Sequence, residues 1–153
     1  MTDTDAMIDE LAATADRLRE LTRGAAGSTL DAQAPGEWSA RTVLAHLRDD
    51  EFLVMRLRLE RILVEDQPSL APFDEQAWEA HRWRGRDGLV ELLDDFDLQR
   101  AASIAILRRV EGDIWQRSGL QPEYGTLTVR TWLDHWLGHD KMHLAQIARS
   151  LSV

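Results

Sequence analysis

At 153 residues with no cysteine, the chain is long enough to bury a core as a single domain, 1–153, but offers neither disulfides nor a thiolate metal site. Its formal charge is −9; of 18 basic residues only Lys141 is lysine, and the arginines are dispersed among acids, which argues against nucleic-acid and anionic-membrane partners. No apolar run approaches the ~20 residues that span a bilayer, and the acidic start MTDTDAMIDE lacks the segments of a signal peptide, so a cytoplasmic protein is expected.

Residues 4–23 read as a first amphipathic helix, with Ile8, Leu11, Ala15, Leu18 and Leu21 on its buried side, ended by the glycines of GAAGS at 24–28. A connector, TLDAQAPGEW, leads to Ser39, a good N-cap for a helix running to about Val64. That helix is apolar around much of its circumference, which predicts a central position. His46, Asp50, Leu53 and Leu57 share one of its faces. A lone histidine beside leucines is ordinarily a satisfied core residue.

The prolines of EDQPSLAPFD make 65–74 a loop, and Asp74 caps a short helix, EQAWEAHRW. HRWRGR at 81–86 is the densest basic run and is short. Asp87 is expected to cap a third long helix, roughly 88–111, with Leu89, Leu92, Leu93, Phe96, Ile104 and Leu107 facing the core. A glycine-punctuated connection, GDIWQRSGLQPEYGTL, then reaches Thr128, the predicted N-cap of a helix to Leu151. Four long helices, one short helix in a connection and no credible strand predict an all-α four-helix bundle.

The last helix carries His135, His139 and His143 at four-residue intervals. Residues four apart lie one turn above each other, about 40° apart in projection, so His139 and His143 can converge on one ion. Solvated helices also carry such pairs by chance. Here the pair sits at the edge of the apolar stripe, beside Trp132 and Trp136, where a helix looks into a cleft. His46 is the natural third ligand from another helix, and three protein ligands leave a position open, as catalytic sites do. Imidazole and carboxylate donors suit zinc, nickel, iron or manganese better than copper(I).

His135 either ligates or sits above the site, and ranks below the other two. Asp50, one turn after His46, is a candidate outer partner holding an imidazole tautomer. Gln146, near His139 in projection, is a candidate for bonding water or substrate. Asp134 and Asp140 are expected on solvated faces. Six tryptophans are many for this length; they fill a core or line a pocket, and Trp132 and Trp136 are expected to shape an apolar substrate pocket. The stretch His139-Asp-Lys-Met-His143 has no glutamate between its ligands, against a zincin-type peptidase. GxSxG, P-loop and dinucleotide-binding glycine patterns are absent.

Three segments, EWSARTVLAHLRDDE at 37–51, GLQPEYGTLTVRTWL at 119–133 and HDKMHLAQI at 139–147, resemble the DinB-like family of metal-binding four-helix bundles, grouped with bacillithiol and mycothiol S-transferases. In that family one histidine of the second helix and two, four apart, of the last hold a divalent metal; these positions fall on His46, His139 and His143. The chain departs from many relatives at Gln121, where they carry histidine, which bears on the mouth of the site rather than its ligands. The resemblance implies a zinc or nickel enzyme that transfers a low-molecular-weight thiol, such as bacillithiol or mycothiol, to a small electrophile, and that pairs as a homodimer. Hydrolysis at the same metal is a variant. A non-catalytic, stress-associated bundle that binds a metal or ligand is the alternative.

Overall fold

The computed structural model describes residues 1–152. Its helices are α1 (Asp3–Ala12), α2 (Thr14–Thr22), α3 (Gly27–Asp31), α4 (Ala40–Asp50), α5 (Leu57–Val64), α6 (Glu75–His81), α7 (Leu89–Leu107) and α8 (Val129–Leu151). A π-helical segment, Glu51–Arg56, joins α4 to α5 without a break, so the two form one long rod. A 3₁₀ turn (Gly112–Gln116) and a hairpin of β1 (Ser118–Gln121) and β2 (Gly125–Thr128) precede α8.

Ser39 caps α4 by accepting from Thr42 N–H, and Asp74 caps α6 by accepting from Ala77 N–H, as expected. Thr128 and Thr131 form a reciprocal capping box at the start of α8. Each such cap stabilises its helix by about 1 kcal/mol. Asp87 is not a cap. Gly88 holds that position in α7, and the Asp87 carboxylate is drawn instead to Arg82 and to Arg48.

The first predicted helix is two. Arg100 on α7 places Nη1 2.7 Å from the Leu11 carbonyl. A side chain inserted into the backbone ladder is a recognised cause of helix breaks, and α1 ends at Ala12. The expected connector after Gly24 also contains α3, which buries Leu30. The hairpin contradicts the expectation of no strand: its strands are four residues each, too short to show an alternation of their own. Gly119 sits where a Cβ would lie 3.0 Å from the Pro68 carbonyl, and this close approach lets Leu120 exchange backbone hydrogen bonds with Pro68 and Leu70.

The π-helical segment re-aims the second rod. Each such turn inserts one residue into the α-helical register. Val54, Met55, Arg58 and Leu59 therefore face inward, while Leu53 and Leu57, expected on the His46 face, are 41% and 48% exposed.

The core has two apolar parts. One gathers Ile8 and Leu11 of α1, Leu59 and Ile62 of α5, Leu107 of α7, and Leu133 and Trp136 of α8. The other gathers Leu18 of α2, Val43 and Leu47 of α4, Leu92 and Phe96 of α7, and Ile147 of α8. On every rod the residues between these two sets are polar and buried: Thr14, then His46, Asp50 and Glu51, then Arg100 and Ser103, then Asp140 and His143. A polar layer thus crosses the middle of the bundle.

The same bookkeeping gives the topology. The α1–α2 rod and α8 run from the first apolar part to the second, whereas the α4–α5 rod and α7 run the opposite way. Two successive rods, α4–α5 and α7, are therefore parallel, and residues 65–88 must return along the bundle as a crossover. That crossover carries α6 across the polar layer.

Candidate metal centre

His46 projects from α4 and is fully buried; His139 and His143 project from α8, one turn apart. The structure brings all three together. One ring nitrogen from each lies within 4.8 Å of the others. His46 Nε2 and His139 Nε2 are 3.3 Å apart. Two imidazoles on one tetrahedral ion, each at 2.0–2.1 Å, would place their nitrogens about 3.3 Å apart. The spacing fits a shared ion.

The hydrogen-bond pattern fits it too. His143 Nδ1 lies 2.8 Å from Gln146 Oε1. An amide oxygen only accepts, so Nδ1 carries the proton and Nε2 keeps its lone pair. That Nε2 is buried without a partner, an unusual state for a buried polar atom and the state of a ligand nitrogen. Gln146 thus bonds His143 rather than standing beside His139.

Asp50 Oδ2 lies 3.2 Å from His46 Nε2 and 3.3 Å from His139 Nε2. It stands among the donor atoms, on the ion side of the imidazoles, and not behind them as an outer partner would. Glu75 at the start of α6 brings Oε1 to 3.8 Å from His46 Nε2, and His46, Asp50 and Glu75 form a second overlapping set of donors. Glu75 has no signal in the sequence, because only the crossover places it here. Trp38 and Trp78 wall off His46, with ring centroids 5.1 Å and 5.4 Å away. Trp78 is fixed by donating Nε1–H to Asp49 at 2.9 Å.

Electrostatics divide the histidines. Burial, reinforced by the His143 and His139 charges, pushes His46 down to about 2. Burial and the His139 charge push His143 down to about 4. His139 is also opposed by burial, but Asp140 and Asp50 outweigh it and raise His139 to about 9. The Asp140 contact is a charge interaction, with Oδ1 4.0 Å from Nδ1, while Asp50 is at hydrogen-bond range. Burial raises Asp50 and, with the Asp50 charge, Glu75. His46 and His143 are thus neutral and ready to bind a divalent cation, whereas His139 must first give up its proton.

Beneath the histidines lies an ionic cluster. Arg100 grips Glu51 through Nε and Nη2 at 2.7 Å and 2.9 Å, and Asp140 through Nη1 and Nη2 at 2.6 Å and 3.1 Å. Thr14 donates Oγ1–H to Asp140 at 2.6 Å. Asp140, expected on a solvated face, is 2% exposed; Asp134 is exposed and pairs with Arg130. Although burial opposes it, the Arg100 charge holds Asp140 down at about 2.

A half-open cavity of about 350 Å³ leads outward from His139 and Asp50, a size suited to a small molecule. Met55, Phe73, Tyr124 and Trp132 supply its apolar walls, and Gln121 and His135 are also in its lining. The His135 ring lies 4.9 Å from that of Tyr124, tilted by 39°, and His135 does not join the three converging histidines. Gln121 Oε1 accepts from the backbone of Glu123 and Tyr124, shaping the hairpin tip at the cavity. Trp132 lines the cavity, locked by Nε1–H donation to Met55 O at 3.0 Å. Trp136, expected beside it, lies wholly in the core, with its Nε1 toward Glu51 Oε2 at 3.3 Å. Trp38, Glu75, Trp78 and Arg58 are site residues that sequence reasoning passed over; of these only Trp38 lies within one of the three segments that carry the resemblance.

The DinB superfamily model matches residues 10–147, nearly the whole chain. The chain belongs to the DinB superfamily. A protein of Oceanobacillus iheyensis named "Putative metal-dependent hydrolase OB0782" is 26% identical over 112 residues, covering 73% of this chain and 64% of the relative. The chain thus matches less than two thirds of that relative's length. YuaE of Bacillus subtilis is 27% identical over 127 residues, covering 72% of this chain and 75% of YuaE. The solved structure of YfiT from Bacillus subtilis, described as "a probable metal-dependent hydrolase with an unusual four-helix bundle topology", superposes with a TM-score of 0.88 at 23% identity, over 98% of this chain and 87% of YfiT. At that identity the likeness concerns the fold, which is the four-helix bundle expected. No helix among the described residues is long and apolar enough to cross a membrane.

Proposed function

We propose that the protein is a divalent-metal enzyme that hydrolyses a small molecule held in the cavity beside His139. His46, His139 and His143 are the ligands. The observation that carries this reading is the unpartnered, buried Nε2 of His143, whose lone pair Gln146 fixes toward the other two imidazoles. When bound, the ion supplies Lewis acidity and a nucleophile at neutral pH. Asp50 Oδ2, 3.2 Å and 3.3 Å from the His46 and His139 Nε2 atoms, would be positioned to accept a hydrogen bond from a group held by the ion. Glu75 Oε1, on the cavity side and 3.8 Å from His46 Nε2, would be placed to take up a proton there, and burial and the Asp50 charge raise its pKa above the ordinary glutamate value. Trp38 and Trp78 exclude water behind His46, and Trp132 bounds the substrate. The metal-dependent hydrolase names of OB0782 and YfiT support the reaction class.

Transfer of a low-molecular-weight thiol, such as bacillithiol or mycothiol, at the same metal is the second reading. The cavity favours it in one respect: Met55, Phe73, Tyr124 and Trp132 give it apolar surface for an electrophile in the same space that His139 and Asp50 line. One experiment separates the two. Zinc- or nickel-loaded protein is assayed against activated esters and amides without thiol, and against aryl halide electrophiles with a thiol panel. Thiol-independent hydrolysis abolished by chelation and by Glu75→Gln is the expected result. Turnover that requires a thiol replaces the first reading with the second, and no turnover in either assay overturns both.

A further inference from the structure

Arg58 is the unusual residue of the cavity. It is 7% exposed and lines the cavity wall beside Trp132 and Met55. Buried guanidinium groups are normally paired, and Arg100 in this protein grips two carboxylates. Arg58 has one hydrogen bond, from Nη2 to the Ala71 carbonyl at 2.7 Å, and takes part in no ion pair among the described residues. Its guanidinium lies over the Trp132 ring at 5.2 Å, and that ring is itself held by Met55 O. The group is therefore pinned before any ligand arrives, with most of its five donors uncommitted.

Arg58 contributes nothing evident to the metal. It is not in either metal-ligating group, yet it shares one cavity with His139 and Asp50. A fixed, desolvated guanidinium fork matches a carboxylate, to which it can donate two parallel hydrogen bonds. The cavity also selects the charge of its ligand. Asp50, Asp74, Glu75 and Glu123 line it as well. A single negative charge seated on Arg58 meets about half the repulsion from these acids that a phosphate dianion would.

We propose that Arg58 is the substrate anchor of this cavity, binding the carboxylate of a small apolar monocarboxylate whose reactive group then lies toward His139. Trp132, Phe73 and Tyr124 contact the apolar body of that acid. The reactive position rests on the metal-enzyme reading above; the carboxylate-binding role does not.

The test is calorimetric titration of the protein with 3-phenylpropionate, with its neutral amide and with inorganic phosphate. It uses zinc-loaded wild type, Arg58→Met, Arg58→Lys and the His139→Ala/His143→Ala double variant. Charge-assisted bonds to a buried group give at least about tenfold in affinity. Wild type is expected to favour the carboxylate over its amide, and over phosphate, by about tenfold or more. Arg58→Met keeps a stem over Trp132 and is expected to lose the preference; Arg58→Lys keeps the charge without the fork and loses most of it. The double histidine variant is expected to retain it. A wild type that binds the amide or phosphate as well as the carboxylate overturns the proposal without recourse to any variant. So does a preference that survives in Arg58→Met but vanishes in the histidine variant, because the acid then binds the metal, which leaves the metal centre standing. A wild type that takes up no zinc yet keeps an Arg58-dependent preference supports the anchor and removes the metal reading.

Discussion

Gln146 Oε1 accepts a hydrogen bond from His143 Nδ1 across 2.8 Å, one turn of α8 apart. The relationship fixes which nitrogen of His143 is free and where it points, and so presets a rotatable side chain for the ligand role proposed for it. Partners of this kind are worth 10- to 100-fold in metal affinity in other sites. Gln146→Leu is therefore expected to weaken zinc binding by about 10- to 100-fold, while leaving the helical circular dichroism signal and thermal midpoint nearly unchanged. Competition against a chromophoric chelator measures it. An unchanged affinity would show that Gln146 does not position the ligand.

The histidines also set how metal binding depends on pH. His46, at about 2, and His143, at about 4, are already neutral at pH 7 and release nothing. His139, at about 9 in the metal-free protein, is protonated there and must lose its proton to ligate. Affinity should rise about tenfold per pH unit between pH 6 and pH 8 and level off near pH 9. Titration calorimetry in two buffers of different ionisation enthalpy should find about one proton released per ion at pH 7. Zero release would place His139 outside the ligand set or show it neutral beforehand.

Arg100 bonds both Glu51 and Asp140 in the buried layer, where Trp136 and Thr14 bond the same two carboxylates. Removing one partner of a buried ion pair strands the other charge and costs about 3–5 kcal/mol. Arg100→Met should lower stability by that order in urea denaturation, whereas the exposed Arg108→Met, which breaks only the pair with Asp9, should change it by less than about 1 kcal/mol. Asp140 adds an acid limb. Its folded value, about 2, lies below the ordinary aspartate value of 3.8, so its stabilisation is present above the higher value and is lost as pH falls through the interval between them. Asp140→Asn should flatten the loss of stability over that interval.

Much of the bundle was legible because it is written locally. Ser39, Asp74 and Thr128 announce helix starts through hydroxyl or carboxylate caps within three residues. The pair His139 and His143 is likewise a local spacing, and the resemblance reached the same three histidines through its motifs. What was hidden is non-local. Asp140 reads as a surface acid until Arg100, 40 residues earlier, is folded against it. Asp87 has the chemistry of a cap but meets the stronger claim of Arg82 and Arg48. Leu53 and Leu57 face solvent because the π-helical segment shifts a register that a 3.6-residue period cannot foresee. Glu75 and Trp78 reach the site only because the rods before and after the crossover are parallel, which no helix period records.

Metal content shows whether the three histidines converge on one divalent ion. The protein is purified without a nickel column, incubated with zinc or nickel, desalted and measured by inorganic mass spectrometry beside His46→Ala, His139→Ala/His143→Ala and His135→Ala. Close to one ion per chain is expected in wild type and in His135→Ala, with loss of most of it in the other two. Absence of bound metal in folded wild type, or equal loading of all four proteins, would contradict it.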